Sequence, residues 1–169
     1  MDRKIYYIPL VCLLSLSTLT VQGQGKKGKS DTSSANDETI IKSVIEKETK
    51  AFFEIDQKGW QSYWAHTPYA FWSFADTTDV NSFSGWADIS NGFNNYFQTS
   101  KPSTAKIERD WHHIIIHGNF AYVRFTQRVT DDSFRAPQAE MRVMEKINGT
   151  WKIVCVSVIA IQKENEPVR

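Results

Sequence analysis

The sequence predicts an α+β domain in which helices come first and long antiparallel strands close the chain. Three observations carry this reading. Apolar residues recur at helical spacing over residues 41–55 and again over 86–99. The second half is then organised by two tight turns, Gly118-Asn119 and Asn148-Gly149, each set between long apolar and β-branched runs. Asn-Gly between two such runs is a strong hairpin signal, because both residues accept positive φ.

A length of 169 residues suits one domain with a single core. Residues 1–24 have a charged start (Arg3, Lys4), an apolar run over 5–19 and the small Gly23 near a cut site, the pattern of a secretory signal peptide. That run is short for a spanning helix, which needs about 20 apolar residues, so no stable membrane insertion is expected after cleavage. The expected location is secreted or periplasmic. Cys12 lies inside the apolar run, after Val11 rather than a very small residue, which argues against lipid attachment. Losing Arg3, Lys4 and Asp2 takes the 20 basic and 19 acidic residues to 18 each. A neutral chain lacks the basic face that phosphates demand, so no nucleic-acid partner is expected. Cys155 is then the one remaining cysteine, which rules out an internal disulfide in the mature chain.

Residues 25–35 (GKKGKSDTSSA) have the composition of a flexible linker, and the domain is expected over 36–163 with a tail at 164–169. Asn36 or Asp37 can cap the first helix, whose apolar stripe (Ile41, Val44, Ile45, Ala51, Phe52, Ile55) is interrupted by the single charge of Glu48. Gly59 ends it, and residues 60–65 form a short helical turn before Pro68. Strands are expected at 69–75 and 80–83 around the Asp76-Thr77-Thr78-Asp79 turn, then a helix over 86–99 ending before Pro102. Strands at 106–117, 120–129, 138–147 and 150–162 complete the chain. Asn148-Gly149-Thr150 also fits a glycosylation acceptor, but the tight turn explains it better.

Several motifs carry a resemblance. The apolar first helix is followed by Trp60 to Trp64, Gly85-Trp86-Ala87-Asp88-Ile89 opens the later helix, and the hairpins read His117-Gly118-Asn119-Phe120-Ala121-Tyr122-Val123 and Asn148-Gly149-Thr150-Trp151-Lys152-Ile153-Val154. Together with the order of elements, these resemble the nuclear transport factor 2-like (NTF2-like) superfamily, in its SnoaL-like and ketosteroid-isomerase-like bacterial branch. The resemblance implies a cone: a curved antiparallel sheet wrapped around the N-terminal helix, with a pocket at the wide mouth. It also implies that the outer sheet face often pairs with a second subunit. Enzymes of this kind commonly use a pocket Asp or Tyr for proton transfer. Here the segment where relatives often place that Asp reads His66-Thr67-Pro68-Tyr69, a departure that weighs against isomerase chemistry.

Pairing arithmetic from the turns assigns faces. From Gly118-Asn119, one face holds Asp110, His112, Ile114 and Ile116 beside Ala121, Val123, Phe125, Gln127 and Val129, and the other holds Arg109, Trp111 and His113. From Asn148-Gly149, Glu140, Arg142 and Met144 share a face with Trp151, Ile153, Cys155 and Ser157. The opposite face (Met141, Val143, Val154, Val156, Val158) is apolar throughout and is expected to form a homodimer interface.

The candidate ligand-binding residues are accordingly His66, Trp72, Asp110, His112, Glu140, Arg142 and Ser157. His112 on an apolar face needs a partner, which Asp110 can supply. Glu140 and Arg142 are either a surface pair or a paired charge in a cavity, where Arg142 can hold an anion. Adjacent His112 and His113 point to opposite faces and no His-x-His spacing replaces them, so neither metal nor cofactor is expected. The first functional reading is an exported domain that binds a small, largely apolar or weakly anionic molecule. The alternative is a SnoaL-like or isomerase-like enzyme with His112 or His66 as general base. A purely structural role is the third.

Overall fold

The computed structural model describes residues 30–130 and 137–161. The expected signal peptide, residues 25–29 of the expected linker and the expected tail lie outside the described residues. The chain runs α1 (Ser30–Phe53), α2 (Gln57–Ser62), β1 (Phe71–Ala75), β2 (Val80–Ser84), α3 (Trp86–Thr99), β3 (Lys106–His117), β4 (Phe120–Thr130), β5 (Pro137–Ile147) and β6 (Thr150–Ala160). The six strands form one sheet in the order β2-β1-β6-β5-β4-β3. It is mixed rather than wholly antiparallel, because β1 enters parallel to β6 while every other neighbour is antiparallel. The sheet does not close, and its inner face with the helices makes the cone.

Helix α1 begins at Ser30, earlier than the expected cap, and takes in the end of the expected linker. Asp37 is therefore inside the helix, and its carboxylate accepts from Lys146 Nζ at 2.7 Å and Trp151 Nε1 at 2.9 Å. That pair ties α1 to the β5–β6 hairpin. The helix ends at Phe53 rather than at Gly59, through Asp56 N–H to the Ala51 carbonyl (2.9 Å) and Ile55 N–H to the Phe52 carbonyl (3.2 Å), with Ile55 at φ 60°. These are the bonds of a left-handed helix stop, occupied here by a β-branched residue that disfavours the conformation. Asp56 then caps α2 by accepting from Gly59 N–H at 2.9 Å.

The core lies between the helices and the inner sheet face. Ile41, Ile45, Trp60, Ile89, Val123, Phe125, Met144, Trp151, Ile153 and Val156 are all buried. At the hairpins, Asn148 (φ 50°) and Gly149 (φ 79°) both take positive φ, whereas only Gly118 (φ 58°) does so in the first turn.

Two bulges reverse part of the expected face assignment. In β3 the register runs Asp110↔Thr126, Trp111↔Phe125 and then His113↔Arg124, so His112 is an extra residue. Beyond it the parity flips: Arg109 and Trp111 join Phe125 and Gln127 on the inner face, while Asp110 and His112 turn outward and are exposed. In β6 the pairs Met144↔Ile153 and Val143↔Cys155 leave Val154 as the extra residue. Val156 and Val158 therefore face inward opposite Arg142 and Glu140, and Cys155 and Ser157 face outward. The expected Met/Val interface face is thus divided, since Val154, Val156 and Val158 are buried within the subunit.

Candidate functional site

A cavity of about 190 Å³ lies between the helices and the inner sheet face. Helix α1 contributes Glu48, Thr49, Phe52 and Phe53, and the sheet contributes Trp72, Gln127, Glu140, Arg142, Val156 and Val158. Trp60, Trp64, Phe74 and Phe93 add further aromatic wall. The rings pack edge to face: Trp72 meets Phe93 at 4.9 Å and 88°, and Trp60 meets Phe93 at 5.4 Å and 62°. Such pairs fix the ring positions beyond what burial alone would do.

One end of the cavity is ionic. Arg142 donates from Nε (3.0 Å) and Nη2 (2.8 Å) to Glu140 Oε2, and from Nη1 to Glu48 Oε2 at 3.1 Å. Glu48 Oε1 accepts from Trp60 Nε1 at 2.8 Å, and Thr49 Oγ1 accepts from Arg109 Nη2 at 2.7 Å. The side chains of Arg142, Glu48 and Glu140 are 6%, 6% and 2% exposed. Burial disfavours the charged guanidinium of Arg142, but the fields and hydrogen bonds of Glu140 and Glu48 outweigh it and hold its pKa above the ordinary value. Arg109 goes the other way: burial first, then the like charge of Arg142, pulls it down. Its guanidinium also lies 5.5 Å from the Phe125 ring centroid.

Two residues of the cavity wall each carry a fully buried polar atom, Trp64 Nε1 and Gln127 Oε1, that has no hydrogen-bond partner among the described residues. A buried group left unpaired costs about 1–3 kcal/mol. Both belong to residues that a bound molecule would touch.

Of the seven residues expected at the site, the structure brings three together at the cavity: Trp72, Glu140 and Arg142. His112 instead lies on the outer face, where its Nε2 meets Thr126 Oγ1 at 2.8 Å. Asp110 is exposed beside it. His66 is exposed, with its ring stacked on Trp86 at 4.2 Å and its Nε2 3.0 Å from the Gln61 carbonyl. Ser157 pairs with Ser73 through their hydroxyls at 3.1 Å on the outer face. Cys155 lies half-buried on the same face, and burial pushes its thiol up. Glu48, Thr49, Gln127, Trp60 and Trp64 line the cavity without having been expected there. Glu48 did leave a signal, as the one charge inside an apolar stripe. Among the described residues no group of three His, Cys, Asp or Glu side chains converges as a metal site.

The inner-face cavity, the helices over the sheet and the strand order define an NTF2-like α+β cone. No family model matches the sequence, and no curated protein is detectably similar to it. The likeness is to solved structures, and it establishes the fold. An NTF2-like protein of unknown function from Silicibacter pomeroyi superposes with a TM-score of 0.60 at 10% identity, over 76% of this chain and 98% of that one. A candidate dehydratase of the NTF2-like family from Streptomyces avermitilis gives 0.60 at 14% identity, over 77% and 99%. An NTF2-like protein of unknown function from Shewanella baltica gives 0.58 at 17% identity, over 76% and 97%.

Proposed function

We propose that this protein binds a small, largely apolar organic molecule in the cone cavity. The observation that carries this reading is the cavity itself. It has aromatic walls, a buried Glu48–Arg142–Glu140 network at one end and two wall residues, Trp64 and Gln127, whose buried Nε1 and Oε1 have no partner among the described residues. A few polar groups converging on an apolar hollow is the usual make-up of a ligand site. The volume suits a molecule built on one ring, since an apolar cavity of roughly 150 Å³ takes benzene. The test is a fragment screen read by thermal shift on wild type and on Val158→Phe, which fills the hollow. Fragments that stabilise wild type and not the variant support the reading. Fragments that stabilise both equally, or none that stabilises wild type, reject it.

A second reading is enzymatic, and one detail favours a carboxylate over a histidine. Glu140 accepts both Arg142 donors at Oε2, so Oε1 has no donor among the described residues and could take a substrate proton. His66 and His112 are both outside the cavity lining. The structural neighbour described as a candidate dehydratase is consistent with either reading. Turnover lost in Glu140→Gln and kept in His112→Ala would favour it.

Export and self-association complete the proposal. The charged start and apolar run of residues 1–24 support action outside the cytoplasm after cleavage. The outer sheet face supports a homodimer through a row set by the register: Ile115, Tyr122, Val143, Cys155 and Phe71. Ile115 and Tyr122 are 49% and 36% exposed in the subunit. Ultracentrifugation should find a dimer that Tyr122→Glu splits. A wild-type monomer at tens of micromolar would reject this surface.

A further inference from the structure

The charge balance at the cavity's ionic end narrows the ligand class, an inference that rests on the binding reading above. Arg142 is the one cation lining the cavity among the described residues, and it faces two carboxylates. Its Nε and Nη2 are directed to Glu140 and its Nη1 to Glu48. An anion entering the cavity would compete with both carboxylates for this guanidinium and would meet their negative charge. A further cation on the inner face, Arg109, is not in the lining. Its Nη2 donates to Thr49 Oγ1 and its guanidinium lies 5.5 Å and 6.0 Å from the Phe125 and Trp111 ring centroids, so it acts on Glu140 and Glu48 through its field and bonds to neither.

What the lining leaves open is chiefly acceptor capacity. Glu140 Oε1 receives no hydrogen bond among the described residues, and Gln127 Oε1, itself fully buried, has no donor among them either. Among the described lining residues, one buried donor, Trp64 Nε1, has no partner. Around these atoms stand Trp60, Trp64, Trp72 and Phe93, whose ring faces attract positive charge. We infer that the cavity selects a small organic cation, an amine with one aromatic or branched apolar body, whose N–H group donates to Glu140 Oε1. The weakly anionic ligand suggested by Arg142 in the sequence is disfavoured, because that arginine is already matched by two acids.

The test uses three probes that share a phenyl ring and a short chain: phenethylamine, phenethyl alcohol and phenylacetate. Calorimetry and thermal shift are run on the wild-type protein at pH 7 and low salt. The amine is expected to bind at least about tenfold tighter than either companion, in keeping with a charge-assisted hydrogen bond reinforced by ring faces. Glu140→Gln, checked for folding by circular dichroism, is expected to remove most of that preference while leaving alcohol binding in place. The ranking on wild type tests the inference even if the variant does not fold. If the alcohol binds as tightly as the amine, or phenylacetate binds best, cation selection is overturned while the cavity reading stands. If none of the three binds at millimolar concentration and Val158→Phe responds to fragments as wild type does, both fail together.

Discussion

Replacing Arg142 with Met would remove the one positive group between two buried carboxylates. Met keeps the unbranched apolar stem but ends about where the guanidinium begins, so the change removes the charge together with its hydrogen bonds. The side chains of Glu48 and Glu140 are 6% and 2% exposed, and each loses its bond to the guanidinium. Glu48 keeps Trp60 Nε1 as a donor, but Glu140 keeps none among the described residues. Breaking a buried ion pair from one side costs about 3–5 kcal/mol, because an uncompensated charge stays in a poorly solvated site. With a urea m-value of about 2 kcal/mol/M for a domain of this size, the midpoint should fall by roughly 1.5–2.5 M. The informative comparison is the triple variant Glu48→Gln, Arg142→Met, Glu140→Gln, which removes all three charges together. It should be more stable than Arg142→Met alone, since replacing a whole buried network by neutral groups is often close to neutral. Urea unfolding followed by tryptophan fluorescence measures both. A loss below about 1 kcal/mol in the single variant, or a triple variant weaker than the single, would refute the claim that these charges are mutually compensating and desolvated.

Other outcomes follow from particular contacts. Gly92→Ala should destabilise by about 1–3 kcal/mol in thermal unfolding, because a Cβ there would stand 2.4 Å from the Phe83 ring where α3 presses on β2. His66→Ala and His112→Ala should leave ligand-induced melting shifts unchanged, since neither ring lines the cavity; a lost shift in either would show the site to lie elsewhere. Asp37 is held below the usual carboxylate range, first by its hydrogen bond from Lys146 and then by that from Trp151. Its folded pKa is thus lower than its unfolded one, so its stabilisation is complete above the unfolded value near ~4 and is lost as pH falls through the folded value. Acid unfolding of Asp37→Asn should show a correspondingly smaller loss over that window, and an identical acid limb in both proteins would contradict the assignment.

The sequence was legible where the determinants are local. Helical spacing in Trp86–Thr99 and turn chemistry at Gly118-Asn119 and Asn148-Gly149 placed α3 and the long strands to within a residue or two, because each signal depends on a few adjacent side chains. The start of α1 was less legible, since Ser- and Thr-rich residues 30–35 look like linker by composition. Side-chain faces were only partly legible. On β5, which gains no extra residue, Glu140 and Arg142 were correctly placed inward. On β3 and β6, single-residue bulges at His112 and Val154 invert every position beyond them, and nothing in the apolar alternation marks where a bulge sits. That is why His112, Asp110 and Ser157 are not in the cavity lining, and why Arg109, Val156 and Val158 lie on the inner face. Glu48 was visible but misread: a lone acid in an apolar stripe is as much a sign of a buried partner as an interruption, and the partner, Arg142, lies 94 residues away in the chain.

The central claim is that a small molecule occupies the hollow bounded by Trp60, Trp64, Trp72, Glu140 and Arg142. The six tryptophans provide a direct measurement, since each indole N–H gives its own resonance in a nitrogen–proton correlation spectrum. Titration with phenethylamine should move the Trp60, Trp64 and Trp72 resonances together, because all three side chains line the cavity. Trp151, whose Nε1 is bonded to Asp37 away from the lining, should stay in place as an internal reference. Saturating shifts confined to the three cavity indoles, and absent in Val158→Phe, are the expected result. Shifts at Trp151 with none at Trp64 would contradict the account.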